Sequence, residues 1–172
     1  MFIMAPIKLV RHGRYDRKKG SPTEGKLVDA GREQAARARD ALLEAGLGAG
    51  AIVLSSNAER ARETADIIGQ GLGARAVVYS RRIELGGEHT NGIRDLDAFL
   101  KRSLEESAVM PYDVTEGLVV VSHAPLLIAA KALTEAPDLN VDYGEIVSYE
   151  PGTWTNPLFS PEMEGYINTR IW

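Results

Sequence analysis

The stretch Ile7-Lys8-Leu9-Val10-Arg11-His12-Gly13 constrains this chain more than any other. A short apolar run closed by a glycine suits a strand buried on both faces of an α/β sheet. The loop after such a strand opens at the carboxyl edge of the sheet, where α/β folds place their ligands. A histidine there can act as nucleophile or base, and the adjacent guanidinium can hold an anion with two parallel hydrogen bonds. Alone, an Arg-His-Gly triplet suits a surface turn equally well. The reading therefore rests on what accompanies it.

Three more strand-to-helix units follow. Ala51-Ile52-Val53-Leu54 reads as a strand and leads into Ser55-Ser56-Asn57-Ala58-Glu59-Arg60, where Ser56 and Glu59 have capping-box spacing. Ala61, Ala65 and Ile68 form the inner stripe of that helix and Gly69 its stop. Arg60 falls in the first turn, at the positive end of the helix dipole, which calls for something negative nearby; a local pair with Glu59 or Glu63 is the structural alternative. Ala76 to Tyr79 is a third strand, running into Arg81, Arg82, Ile83, Glu84 and, further on, Glu88. Gly117 to Val121 is the most strand-like run, and it ends in Ser122-His123-Ala124-Pro125, with Pro125 suited to a helix start. Two histidines at such turns, on neighbouring parallel strands, meet at one sheet edge.

The remaining elements fit around these. A helix is predicted from the N-cap Asp29, with Ala35, Ala38, Leu42 and Ala45 on one face and Gly46 at its end. Another, capped by Asn91, carries Ile93, Leu96, Leu100 and Leu104, and Pro111 and Asp113 mark the loop after it. Glu145 to Glu150 resembles an edge strand, and residues 151–172 are irregular with one further strand around Tyr166 to Ile171. Arg14 to Pro22 reads as a basic surface loop, with Arg14 the member best placed to touch substrate and Tyr15 able to line its mouth. His89 reads as an exposed loop residue.

Bulk properties narrow the function. At 172 residues the chain fits a single domain, residues 1–172, with a real core. The absence of cysteine removes disulfides, thiolate catalysis and cysteine metal sites, and a net charge of -4 argues against a nucleic-acid surface. No stretch approaches a membrane span and Met1 to Pro6 is too short for a secretory signal, so a cytoplasmic protein with no membrane partner is expected. Three histidines without clustered carboxylates make a poor metal signature, and neither metal nor cofactor is expected.

Four strand ends thus carry Arg11 with His12, Arg60, Glu84 and His123. Two arginines and two histidines at one edge suit a dianion held by charge-assisted hydrogen bonds. A neutral His12 between guanidiniums keeps a nitrogen free to attack phosphorus, and a nearby carboxylic acid can protonate the departing oxygen.

In these features the chain resembles the histidine phosphatase superfamily, the phosphoglycerate mutase-like proteins. Leu9-Val10-Arg11-His12-Gly13 matches the family's strand ending in Arg-His-Gly. Leu27-Val28-Asp29-Ala30-Gly31-Arg32-Glu33-Gln34-Ala35 is a variant of its Leu-Thr-x-x-Gly-x-x-Gln-Ala helix start. The segment Ser55 to Ala65 fits Ser-Ser-x-x-x-Arg-Ala-x-x-Thr-Ala at every fixed position, and Val121-Ser122-His123 supplies the second histidine. The resemblance, in family order over residues 7 to 135, implies a three-layer α/β/α sandwich with a mostly parallel central sheet. It implies that His12 becomes phosphohistidine while Arg11, Arg60 and His123 hold the phosphoryl group. The family's acid follows Leu-x-Glu after the third strand; here Arg82-Ile83-Glu84 shifts that pattern, making Glu84 the first candidate and Glu88 the reserve. The expected activity is a phosphatase acting on a phosphorylated small molecule or a phosphoprotein. Mutase-type transfer and a non-catalytic phosphate-binding module are the alternatives, and the short stretch between the third strand and His123 speaks against the mutase. Substrate identity and oligomeric state are left open.

Overall fold

The computed structural model describes residues 7–83, 96–106, 114, 116–134 and 136–150. Glu84, Glu88, His89, Asn91, Ile93, Pro111, Asp113 and the expected strand near Tyr166 lie outside the described residues. The described elements are strand β1 (Ile7–Arg11), helix α1 (Asp29–Glu44), β2 (Ile52–Ser56), α2 (Glu59–Leu72), β3 (Ala76–Ser80), a 3-10 turn (Arg81–Ile83), α3 (Leu96–Glu106), β4 (Leu118–Ser122), α4 (Ala124–Leu133) and β5 (Ile146–Tyr149).

The strands form one sheet in the order β3-β2-β4-β1-β5, parallel except for β5, which runs antiparallel against β1. The period of two along each strand explains the layering. Ile7, Leu9, Ile52, Leu54, Leu118 and Val120 face α3 and α4, packing on Leu96, Leu100, Leu126 and Leu127. Val10, Val53, Val119 and Val121 face α1 and α2, packing on Ala38, Leu42, Ala61, Ala65 and Ile68. The result is the expected α/β/α sandwich with a mostly parallel sheet. Lys8, on the β1 edge toward β5, donates to Ser148 Oγ of the antiparallel edge strand at 2.7 Å.

Because β4 lies between β1 and β2, the carboxyl ends of β1, β4 and β2 stand side by side. Arg11 pairs with Ser122 in register, and the His12 amide extends the ladder to Ser122 O at 3.0 Å. His12 and His123 therefore leave adjacent strands at one level.

The helix ends differ from expectation in instructive ways. Helix α1 starts at Asp29, with Val28 rather than Asp29 as N-cap, and the Asp29 carboxylate pairs with Arg32 at 2.9 Å. Gly69 does not stop α2; it lies inside the helix, where a Cβ would sit 2.3 Å from Val77 Cγ2, and the helix ends at the left-handed Gly73, φ 61°. The Ser56–Glu59 capping box does not form: Ala58 is the N-cap, and both side chains are used elsewhere. Among the described residues no helix is long and apolar enough to cross a membrane.

Two glycines set how tightly the first loop sits on α1. A Cβ on Gly13 would stand 2.3 Å from Gly31 O, and one on Gly31 would stand 1.9 Å from Arg14 O. Both obstacles are backbone, so no side chain can rotate away to make room. Gly31→Ala is expected to cost about 3 kcal/mol or more, at the upper end for overpacking. Gly48→Ala, where nothing lies within 4 Å, should shift stability by less than about 1 kcal/mol. Urea midpoints of the two variants check this; equal midpoints would refute the close approach.

Candidate active site

Arg11, His12 and His123 stand at the ends of β1 and β4, and Arg60 on the first turn of α2. His12 follows β1 and is only 4% exposed. Its Nδ1–H donates to Gly13 O at 2.8 Å, which fixes the tautomer and leaves Nε2 with its lone pair. That nitrogen accepts from Arg60 Nε–H at 3.2 Å. The Gly13 amide is held by Thr64 Oγ1 at 3.1 Å, and Thr64 in turn donates to Arg60 O at 2.8 Å. One turn of α2 thus fixes both the loop after His12 and Arg60. This also accounts for the threonine of the Arg-Ala-x-x-Thr-Ala segment.

Arg60, 7% exposed, projects from α2 between the two histidines. Nη1–H donates to Pro22 O at 2.9 Å, Nη2–H reaches His123 Nδ1 at 3.4 Å, and the guanidinium lies 4.4 Å above the Tyr15 ring. The carboxylates of Glu59 and Glu63 instead take the amides of Gly25 and Leu27. His123 is oriented from its other side: with Nδ1 accepting, Nε2–H donates to Ser56 Oγ at 2.8 Å. Ser56, read from sequence as a helix cap, is a support for the second histidine that also receives the Ala58 amide.

Arg11 stacks on Tyr143, its Cζ 4.0 Å from the ring centroid, and donates from Nη1 to Val141 O at 2.5 Å. The rings of His123, Tyr15 and Tyr143 lie 5.1, 5.3 and 5.8 Å from that of His12. Arg14 has an exposed side chain, and what the structure uses is its backbone: its amide donates to Gln34 Oε1 at 2.8 Å and its carbonyl receives the Val28 amide at 3.1 Å. Tyr143 was not singled out in the sequence, and no local pattern marks it. Its place follows from the pairing of β5 with β1.

The site is a concentrated positive field around neutral imidazoles. Burial, then the repulsion a charged His12 would meet from a protonated His123 and from Arg60 and Arg11, hold His12 well below its ordinary value of 6.5, although its bond to Gly13 opposes them. Burial, then Arg60 and Arg11, push His123 down to about 3. A dianion placed here meets two guanidiniums beside the lone pair of His12 Nε2. Among the described residues, no group of three His, Asp or Glu side chains is placed to hold a metal ion. A polar cleft of about 550 Å³ is lined by Lys18, Thr23, Glu24, Asn57, Glu59, Arg62 and Arg81, with none of Arg11, His12, Arg60 or His123 in its walls.

The sequence profile of the histidine phosphatase superfamily, branch 1, matches residues 7–98, more than half of the chain. The chain belongs to the histidine phosphatase superfamily. Solved structures of the same fold accompany this superfamily member. A protein assigned as the phosphohistidine phosphatase SixA in Agrobacterium tumefaciens is 18% identical, with a TM-score of 0.63 over 92% of this chain and 99% of that one. A mycobacterial glucosyl-3-phosphoglycerate phosphatase is 18% identical, with a TM-score of 0.58 over 83% and 88%. A SixA protein histidine phosphatase complexed with tungstate is 18% identical, with a TM-score of 0.59 over 86% and 97%. No curated protein matches the sequence.

The depressed histidines make stability depend on pH. As pH falls through 6.5 the unfolded chain protonates both histidines, whereas the folded chain keeps them neutral. Their full contribution is present above about 6.5 and declines as pH falls toward the folded values, by up to about 1.4 kcal/mol per pH unit for each. Urea unfolding between pH 7.5 and 5 should show this loss, and inorganic phosphate should reduce it. A flat profile would contradict the neutral pair.

Proposed function

We propose that this superfamily member is a phosphatase that passes the phosphoryl group of a phosphomonoester or phosphoramidate first to His12 and then to water. The observation that supports this most directly is the orientation of His12: Nδ1–H is committed to Gly13 O, and Nε2 presents its lone pair beside Arg60. When a dianion enters, the guanidinium N–H groups of Arg60 and Arg11 turn to its oxygens and release that lone pair. The dianion also reverses the local field. His123 then takes up a proton and donates to the phosphoryl group as well.

The steps balance as follows. His12 Nε2 attacks phosphorus, the N–P bond forms, and the bond from phosphorus to the leaving oxygen or nitrogen breaks. The Gly13 carbonyl, accepting from Nδ1–H, stabilises the positive charge that develops on the ring. The leaving group takes a proton from an acid, assigned to Glu84 with Glu88 as the reserve. Water then attacks phosphorus and gives its proton to the carboxylate so formed; the N–P bond breaks, releasing phosphate and neutral His12. No step calls for a metal.

One feature favours hydrolysis over a mutase reaction. The stretch from Arg81 to Gly117 is short, leaving little chain to close over the site and exclude water. The names of the similar structures span a phosphohistidine phosphatase and a sugar-phosphoglycerate phosphatase, so a phosphoprotein and a phosphorylated small molecule are both proposed substrate classes.

Phosphate release from p-nitrophenyl phosphate should continue in EDTA and fall about a thousandfold or more in His12→Ala. Wild-type protein quenched during turnover should carry acid-labile, base-stable phosphate that the variant lacks. Full activity in His12→Ala would eliminate the covalent mechanism.

A further inference from the structure

We infer that Tyr143 is a positioning residue for phosphoryl transfer, acting through Arg11, whose guanidinium plane its ring fixes. The inference rests on the phosphatase reading above and goes beyond it by giving the antiparallel edge of the sheet a part in the chemistry.

On its β5 side Arg11 is held by one short segment, residues 141–145. Its amide donates to Glu145 O at 3.1 Å and its carbonyl receives the Gly144 amide at 3.0 Å. Its Nη1–H donates to Val141 O at 2.5 Å, and the Tyr143 ring covers one face of the guanidinium at 4.0 Å. An arginine is a long side chain with many rotamers, and its value for a phosphoryl group lies in the planar fork of donors. A carbonyl on one donor and a ring on one face leave the remaining N–H edge with a defined direction. The same ring lies 5.8 Å from that of His12, so a single side chain touches both the nucleophile and one of its arginines.

The turn that presents the ring is itself anchored. Gly144 has φ 76°, a conformation suited to glycine, and a Cβ there would stand 3.0 Å from Gln34 O. Gln34 holds the Arg14 amide through its side chain. The segment bearing Tyr143 thus packs against the helix that also fixes the loop after His12. Tyr15 beneath Arg60 makes the matching arrangement on the opposite side. Each phosphate-facing arginine therefore rests on a tyrosine.

A double-mutant cycle between Arg11 and Tyr143 tests this, read both by kcat/KM for p-nitrophenyl phosphate and by orthovanadate affinity. Tyr143→Leu should weaken both about tenfold, and Tyr143→Phe, which keeps the ring face, should restore them to within about threefold of wild type. In an Arg11→Lys background, which has no planar guanidinium to stack, Tyr143→Leu should add less than about twofold. Tyr143→Met repeats the cycle should the leucine variant fold poorly. Multiplying effects in the double variant, or a phenylalanine variant as impaired as the leucine one, would overturn the inference. Vanadate affinity separates the two readings: a protein that binds vanadate without turning over substrate refutes the phosphatase while still reporting on the clamp.

Discussion

Arg60 lies between His12 and His123, and three positive charges in so small and dry a space would repel one another strongly. The guanidinium does not give up its proton, so the imidazoles must stay neutral. That requirement settles the tautomers: each ring turns an acceptor nitrogen toward Arg60 and donates from the other, His12 to Gly13 O and His123 to Ser56 Oγ. The His12 Nε2 lone pair is thus set by charge and hydrogen bonding together. Much of the surrounding architecture can be understood as holding these three side chains in register.

The sheet supplies that register. Inserting β4 between β1 and β2 places the ends of three parallel strands next to one another, and the α2 backbone returns through Thr64 to the Gly13 amide. Small residues let α1 and α2 close on the same face: Gly31, Ala35 and Ala38 are buried on α1, and Ala61 and Ala65 on α2. The site is therefore largely backbone-supported, and its charged groups rest on carbonyls, amides and rings.

The sequence carried much of this plainly. Apolar runs ending in His12 and His123 are legible because buried parallel strands are nearly uniform in hydrophobicity, and Arg60 was legible from the Ser-Ser-x-x-x-Arg-Ala segment. Local rules erred where tertiary contacts claimed the same atoms. Ser56 and Glu59 have capping spacing, yet the hydroxyl meets His123 and the carboxylate meets Gly25. Gly69 looks like a stop because glycine is a poor helix former, but there it makes room for Val77. Tyr143 was invisible for a different reason: its partner Arg11 lies far away in sequence, brought near by an antiparallel pairing that alternation alone does not reveal.

The long first loop is secured along its second half. Thr23 O receives the Glu59 amide, the Gly25 amide meets Glu59, and the Leu27 amide meets Glu63, all on the first turns of α2. Pro22 O closes the series on Arg60 itself. Arg17 to Gly20, by contrast, are exposed and form the rim above the anchored part. A loop built this way separates an anchored base from an exposed tip. The tip can change in length and charge while the anchored half keeps Arg60 in place between the two histidines.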